Sequence, residues 1–156
     1  MSSKALLASL GHPSEILALV NYKFLNQDKT IFLSESSVPP PSDPSHSYAL
    51  CYYFLNQTSR SFARVIQELD PELRHPVCLF YLILRGLDTI EDDMTLDLDL
   101  KLSLLKSFDS VIYKRGWNFD GNGLQEKDRQ LLVRFDVVIE EFLKLKPAYV
   151  FFSLLI

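Results

Sequence analysis

The amino-acid sequence predicts an all-α domain. Apolar residues recur at three- and four-residue spacing in several segments, which is the period of an amphipathic helix. No segment alternates apolar and polar residues in the manner of a half-buried strand, and the prolines are concentrated in one short region. Together these features indicate helices packed around a common core, preceded by an irregular amino-terminal arm.

The amino-terminal third of the chain is predicted to be separate from the main helical body. A first helix is expected at residues 14–24, directly after a proline. Residues 34–47 are rich in Ser, Pro and Asp, which is the composition of an extended surface linker. We therefore expect residues 1–47 to form an arm and linker, followed by a helical body at residues 48–149.

Helical periodicity returns in the body and predicts four further helices, so that about five are expected in all. They cover residues 48–69, a segment from Pro71 or Pro76 to about Asp93, residues 98–113 and residues 125–145. The second of these is apolar nearly all round, which is typical of a helix at the centre of an α-bundle. Charged residues on such a helix need partners, a metal ion or a ligand.

Composition and charge exclude several classes of function. Hydrophobic residues make up 47% of the chain and charged residues 23%, which is typical of a folded globular protein. The net charge is −4 and Lys and Arg are not clustered, so we expect no nucleic-acid partner. No apolar run reaches the ~18 residues that span a bilayer. Cys51 and Cys78 lie in apolar helical segments without a metal-binding spacing, which predicts reduced, buried thiols in a cytosolic setting.

One acidic motif has the spacing of a metal site. Asp88, Glu91 and Asp92 stand at positions i, i+3 and i+4, so they share one flank of a helix, with Tyr81 and Arg85 on or beside it. Magnesium is commonly held by a few carboxylates together with phosphate oxygens of a substrate. Most acidic runs are only a solvated helix end. This run continues an apolar helix and is not expected on an exposed face. The sequence therefore favours a metal site over a solvated helix end.

Three blocks resemble successive segments of the squalene synthase family, in its fungal type. They are Asn-Gln-Thr-Ser-Arg-Ser-Phe at residues 56–62, Phe-Tyr-Leu-Ile-Leu-Arg-Gly-Leu-Asp-Thr-Ile-Glu-Asp-Asp at residues 80–93, and Gly-Asn-Gly-Leu-Gln-Glu-Lys-Asp-Arg-Gln at residues 121–130. The resemblance extends from about residue 12 to about residue 149 and implies an incomplete helical bundle of the isoprenoid synthase type.

The resemblance also implies a function. The family joins two molecules of farnesyl diphosphate head to head into presqualene diphosphate and reduces it to squalene for sterol biosynthesis, with Mg²⁺ and NADPH as cofactors. It implies metal binding by Asp88, Glu91 and Asp92, substrate binding by Arg60, Arg85 and, more weakly, Lys127, and a place in the cavity wall for Tyr81. Without the resemblance, Arg60 is better explained by a surface ion pair. Arg85 is then better explained by pairing with Asp88 or Asp92 along the helix.

Other parts of the family pattern are absent from the sequence. It has no second aspartate-rich motif, catalytic tyrosine helix, NADPH contacts or membrane anchor of the kind that the resemblance implies. We therefore expect a truncated chain, inactive alone, with residues 150–156 as an aberrant apolar tail. The full-length family resides at the endoplasmic reticulum membrane, whereas this chain is expected in the cytoplasm or has no assigned location.

Two alternatives stay open at this point. A phytoene synthase-like prenyl transferase would share the acidic motif, although the blocks at residues 59–62 and 126–129 favour squalene synthase. In a different class, the chain is a noncatalytic remnant or a helical module that self-associates through an exposed half-core.

Overall fold

The computed structural model describes residues 37–145, which contain six α-helices and no strand within that range. The helices are α1 (His46–Thr58), α2 (Arg60–Gln67), α3 (Pro71–Asp92), α4 (Leu98–Val111), α5 (Arg129–Val133) and α6 (Phe135–Phe142). The predicted all-α class is confirmed. The helix expected at residues 14–24 and the tail at residues 150–156 lie outside the described residues.

The single helix expected at residues 48–69 is wrong, because Ser59 divides it into α1 and α2. Ser59 is extended, with φ −157° and ψ 110°. Its hydroxyl accepts a hydrogen bond from the Phe62 amide at 3.3 Å and so caps the start of α2. The apolar period runs through the break without a gap, which is why periodicity alone did not reveal it.

The helix expected at residues 125–145 is also divided and begins later than predicted. Helix α5 starts at Arg129, and Arg134, with φ −118° and ψ 31°, separates it from α6. The preceding residues form turns instead of a helix. One of these turn residues, Asp128, contacts Arg85 of α3.

Helix α3 is central, as predicted. Asp70 caps it by accepting a hydrogen bond from the Glu72 amide at 3.0 Å, and Pro71 occupies the first turn, so the helix begins at Pro71 and not at Pro76. It packs against each of the other five described helices. No described helix combines the length and the apolar composition that crossing a bilayer requires.

Helix α3 approaches the core closely at Gly86. A Cβ atom at this position would lie 2.6 Å from Cε2 of Phe135, closer than carbon atoms can pack. The Phe135 ring is fully buried and is held by the rings of Phe108 and Trp117, with centroids 5.7 and 5.6 Å away. Glycine therefore allows α3 to sit directly on this aromatic cluster.

Both cysteines are free and fully buried, which confirms the prediction of buried thiols. Burial raises the pKa of the Cys51 and Cys78 thiols well above the usual value. They therefore stay protonated and act as small apolar side chains in the core.

A buried polar cluster joins α1, α3 and α6. The Glu141 carboxylate accepts hydrogen bonds from the Ser47 hydroxyl and, at 2.7 Å, from Lys144 Nζ, and lies 3.2 Å from His75 Nε2. Only 7% of the Glu141 side chain is exposed. Burial opposes ionisation, but the hydrogen bonds from His75, Lys144 and Ser47 outweigh it and lower the pKa of Glu141 to about 2.

The substitution Glu141→Gln is expected to destabilise the fold by about 1–3 kcal/mol near neutral pH, because Ser47, His75 and Lys144 lose a charged acceptor. The folded-state pKa lies below the usual value of 4.5, so this stabilisation is present above 4.5 and is lost as the pH falls toward about 2. Denaturant unfolding of both proteins between about pH 6 and about pH 3 measures the difference, which should shrink on acidification.

Glu140→Gln is the matched control, because Glu140 is 51% exposed and pairs with the same Lys144 at 3.2 Å. It is expected to change the free energy of unfolding by less than about 0.5 kcal/mol. A Glu141→Gln effect that does not vary with pH would contradict the assignment of an ionised, hydrogen-bonded Glu141.

Candidate functional site

An open cleft of about 510 Å³ lies between α2 and α3. Its walls are mostly apolar, and its polar side chains come from the carboxyl-terminal half of α3. The lining residues are Phe62, Val65, Ile66, Leu69, Val77, Phe80, Tyr81, Leu84, Arg85 and Asp88. An apolar cleft with a few convergent polar groups at one end is a typical site for an amphiphilic ligand.

Large apolar side chains on the cleft walls are unusually exposed. Phe62 is 56% exposed, Val65 62% and Phe80 37%. The ring of Tyr81 lies against that of Phe62, with centroids 5.3 Å apart. Contiguous exposed apolar surface of this kind marks a site that binds a ligand or another apolar surface.

The three predicted metal ligands lie in the last two turns of α3 and are all exposed to solvent. The expectation that this cluster avoids an exposed face was wrong, because the flank of α3 that carries it is the one that the other described helices leave uncovered. Asp88 lines the cleft and its side chain is 53% exposed. Within residues 37–145, no hydrogen bond or ion pair reaches the carboxylates of Glu91 and Asp92.

The chemistry of this donor set fits part of a magnesium site. Mg²⁺ is usually bound by one or two carboxylates, several waters and substrate phosphate oxygens, and not by a complete protein cage. Asp88 and Asp92 stand one helical turn apart on α3, and both side chains are exposed to solvent. Among the described residues, no group of three or more His, Cys, Asp or Glu side chains is gathered to hold a metal ion. The metal assignment therefore stays a prediction.

Arg85 is anchored by a residue that is remote in sequence. Its Nε and Nη2 atoms lie 2.6 and 2.5 Å from Asp128 Oδ2, whereas its Nη1 atom lies 3.9 Å from Asp88 Oδ2. Burial alone would lower the pKa of Arg85, but the hydrogen bond and negative charge of Asp128 raise it above the usual value. Asp88, which the sequence suggested as a partner of Arg85, is therefore the weaker of these two contacts. The sequence did not indicate the pair with Asp128.

The cleft brings together only some of the predicted residues. Tyr81, Arg85 and Asp88 line it, whereas Arg60 and Lys127 do not. Arg60 is exposed at the first position of α2, and Lys127 is exposed beside Asp128. Their assignment to substrate binding stays a prediction.

Asp93 was not singled out by the sequence, yet it organises the loop beside the site. It is 1% exposed. Its Oδ1 atom accepts hydrogen bonds from the amide and hydroxyl of Thr95 at 2.8 and 2.6 Å, and its Oδ2 atom from Asn122 Nδ2 and the Gly123 amide at 2.8 and 3.0 Å. Burial opposes ionisation, but these bonds hold the pKa of Asp93 below its usual range. The Asp-x-Thr turn after the helix was a readable signal.

The other end of the same loop is held by Arg129. Its Nε and Nη2 atoms donate to the carbonyls of Asn122 and Asp120 at 3.2 and 2.9 Å. The Phe119 amide donates to the Leu132 carbonyl at 2.9 Å. The loop at residues 119–128 is therefore fixed to the end of α3 through Asp93 and to α5 through Arg129.

The adjacent carboxylates of Asp92 and Asp93 are expected to respond differently to substitution. Asp93→Ala leaves four donors, on Thr95, Asn122 and Gly123, without their acceptor and should lower the free energy of unfolding by about 2–4 kcal/mol. Asp92→Ala removes an exposed carboxylate and should change it by less than about 0.5 kcal/mol. Denaturant unfolding of the two variants measures both values. Equal effects would show that Asp93 does not hold the loop.

Residues 55–151 match the squalene/phytoene synthase family. The chain is 45% identical over 149 residues to squalene synthase R6 of Phoma sp., a match that covers 96% of this chain and 34% of the relative. It is 49% identical over 140 residues to the squalene synthase of Eremothecium gossypii, with 88% and 30% covered. With the squalene synthase of Schizosaccharomyces pombe the identity is 50% over 135 residues, with 86% and 28% covered.

Two solved structures are also similar to this chain. The complex of TcSQS with the ligand E5700 superposes with a TM-score of 0.66 and 40% sequence identity, covering 70% of this chain and 32% of that one. A second complex of TcSQS, with the ligand BPH1237, gives a TM-score of 0.62 and 43% identity over 66% of this chain and 30% of that one. The chain spans about a third of the length of the curated relatives it matches.

Proposed function

Because the chain belongs to the squalene/phytoene synthase family, we propose that it carries part of a squalene synthase site for farnesyl diphosphate. The apolar cleft between α2 and α3 supports this most directly, because its walls suit an isoprenoid tail and its polar end presents Arg85 and Asp88. The relatives named above are squalene synthases, which favours squalene over phytoene as the product of the complete enzyme.

The complete reaction requires more than this chain. We propose that the whole enzyme condenses two farnesyl diphosphates head to head into presqualene diphosphate and reduces that intermediate with NADPH. The chain spans about a third of its relatives, and no described residue is assigned to NADPH. These residues are therefore expected to bind the substrate weakly and not to turn it over alone.

Each part of the cleft has a separate role in this proposal. The apolar walls bind the farnesyl tail, at about 25 cal/mol per Å² of apolar surface removed from water. They also exclude water from the carbon that loses the diphosphate. The carboxylates of Asp88, Glu91 and Asp92 would hold Mg²⁺, and Arg85 would donate to a diphosphate oxygen. Bound Mg²⁺ neutralises the diphosphate charge and makes it a better leaving group.

Binding of a thio analogue of farnesyl diphosphate, measured by titration calorimetry with Mg²⁺, tests the charged end of the cleft. Asp88→Asn is expected to weaken binding about five- to tenfold, because a carboxylate ligand of the metal is lost. Asp99→Asn is the control, since Asp99 is an exposed acid on α4 that does not line the cleft. Equal effects of the two variants would contradict the proposed metal site.

The apolar wall can be tested in the same titration. Val65→Asp places a charge on the wall at a position that is 62% exposed, so folding should tolerate it. This variant should weaken binding of the farnesyl analogue and leave binding of inorganic diphosphate nearly unchanged, whereas Val65→Ala should have a small effect on both. If Val65→Asp left the affinity for the farnesyl analogue unchanged, the tail would not lie in this cleft.

The exposed side chains of Phe62, Val65 and Phe80 also favour a second, noncatalytic candidate, which is self-association through the cleft face. Sedimentation velocity over a range of protein concentrations should then reveal reversible oligomers. Phe62→Ser should reduce the association, and the exposed Leu124→Ser, which lies outside the cleft, should not. A monomer at every concentration would contradict this candidate and leave the ligand-binding proposal in place.

A further inference from the structure

We propose that Asp128 is a positioning residue that holds the Arg85 guanidinium off Asp88 and so leaves the Asp88 carboxylate available to a divalent cation. The inference rests on the proposed function, in which Asp88 is a metal ligand. It assigns different roles to two acidic residues that can pair with the same arginine: Asp128 binds the guanidinium, and Asp88 binds the cation.

The distances show which residue holds the arginine. Two nitrogen atoms of Arg85 lie 2.5 and 2.6 Å from a single Asp128 oxygen, whereas the shortest ion-pair distance to Asp88 is 3.9 Å. The Asp128 side chain is 4% exposed and that of Asp88 is 53% exposed, so the pair with Asp128 is screened less by water. The guanidinium therefore belongs to Asp128, although Asp88 is within reach.

The alternative partner is always nearby. Asp88 follows Arg85 by three positions on α3, and residues at this spacing face each other on a helix and pair readily. An arginine bound to Asp88 would occupy the carboxylate oxygens and cancel the charge that attracts a cation. Keeping the guanidinium on Asp128 prevents this and leaves Nη1 at 3.9 Å from Asp88 Oδ2.

The local geometry of Asp128 supports this role. It occupies the amino-terminal cap position of α5, where an aspartate normally accepts hydrogen bonds from the first turn, yet its side chain makes no capping bond. Its carboxylate is turned to Arg85 instead. Asp93 and Arg129 fix the loop that leads to it, so the position of the carboxylate does not depend on the pair with Arg85 alone.

Direct binding of Mn²⁺ to the full chain, followed by electron paramagnetic resonance of the free ion, tests the inference without turnover. Asp128→Asn is expected to weaken Mn²⁺ binding about fivefold, because the freed guanidinium pairs with Asp88. In an Arg85→Gln background the same substitution should change the affinity by less than about twofold, since no guanidinium remains to move. The difference between backgrounds separates this role from the charge of Asp128 itself.

Two further variants control the experiment. Arg129→Gln removes one restraint on the same loop but keeps both Asp93 and the Arg85–Asp128 pair, so it should leave the Mn²⁺ affinity within about twofold of the parent. Asp88→Asn should abolish most binding. A second readout is hydrogen exchange of the Arg85 Nε–H group, which should be slow in the parent and in Arg129→Gln and at least about tenfold faster in Asp128→Asn.

The outcomes distinguish the positioning role of Asp128 from the metal-binding role of Asp88. If the parent binds Mn²⁺ through Asp88 but Asp128→Asn has no effect, or the same effect in both backgrounds, the positioning role is overturned and the metal site stands. If Arg129→Gln weakens binding as much as Asp128→Asn, loop order alone explains the result and the positioning role is overturned. If Asp88→Asn does not weaken binding or the parent does not bind Mn²⁺, the metal assignment fails and the inference fails with it.

Discussion

The contact between Gly86 and Phe135 orients the central helix and thereby the candidate site. With no side chain at position 86, α3 lies directly on the buried ring of Phe135. A helix turns by about 100° per residue, so residues two and five positions away from Gly86 lie on the opposite flank. Leu84, Tyr81 and Asp88 fall on that flank and line the cleft. Packing on one side of α3 thus determines which side chains are available for chemistry on the other.

Two neighbouring carboxylates at the acidic end of α3 have different roles: that of Asp93 is structural, and that of Asp92 is proposed to bind metal. Asp92 ends the helix and is exposed, whereas Asp93 is outside the helix and buried. The change of backbone direction at Asp93, where ψ is 105°, turns its side chain toward the loop at residues 119–128. That loop then carries Asp128 to Arg85. A structural carboxylate, Asp93, therefore supports the loop whose own carboxylate holds the arginine at the cleft.

The proposed site for farnesyl diphosphate would account for the apolar surface that a helix at the centre of the fold leaves exposed. An isoprenoid diphosphate needs an apolar wall for its tail and hard oxygen ligands and a guanidinium for its charged end. The cleft provides the wall through Phe62, Val65 and Phe80, and its polar end through Arg85 and Asp88. Helix α3 contributes to both, with Phe80 in the wall and Arg85 and Asp88 at the polar end, whereas α2 contributes only to the wall.

The sequence by itself determined the helical class, the central position of α3 and the flank shared by Tyr81, Arg85 and Asp88, because helical periodicity is a local property. It narrowed the start of α3 to Pro71 or Pro76. It did not determine the breaks at Ser59 and Arg134, since the apolar period continues through both. Only the tertiary structure decided that the acidic flank is exposed and that Arg85 pairs with Asp128, 43 residues away. That pair depends on how a loop folds back on a helix, and no local pattern encodes the distance between two segments that meet only in the folded chain.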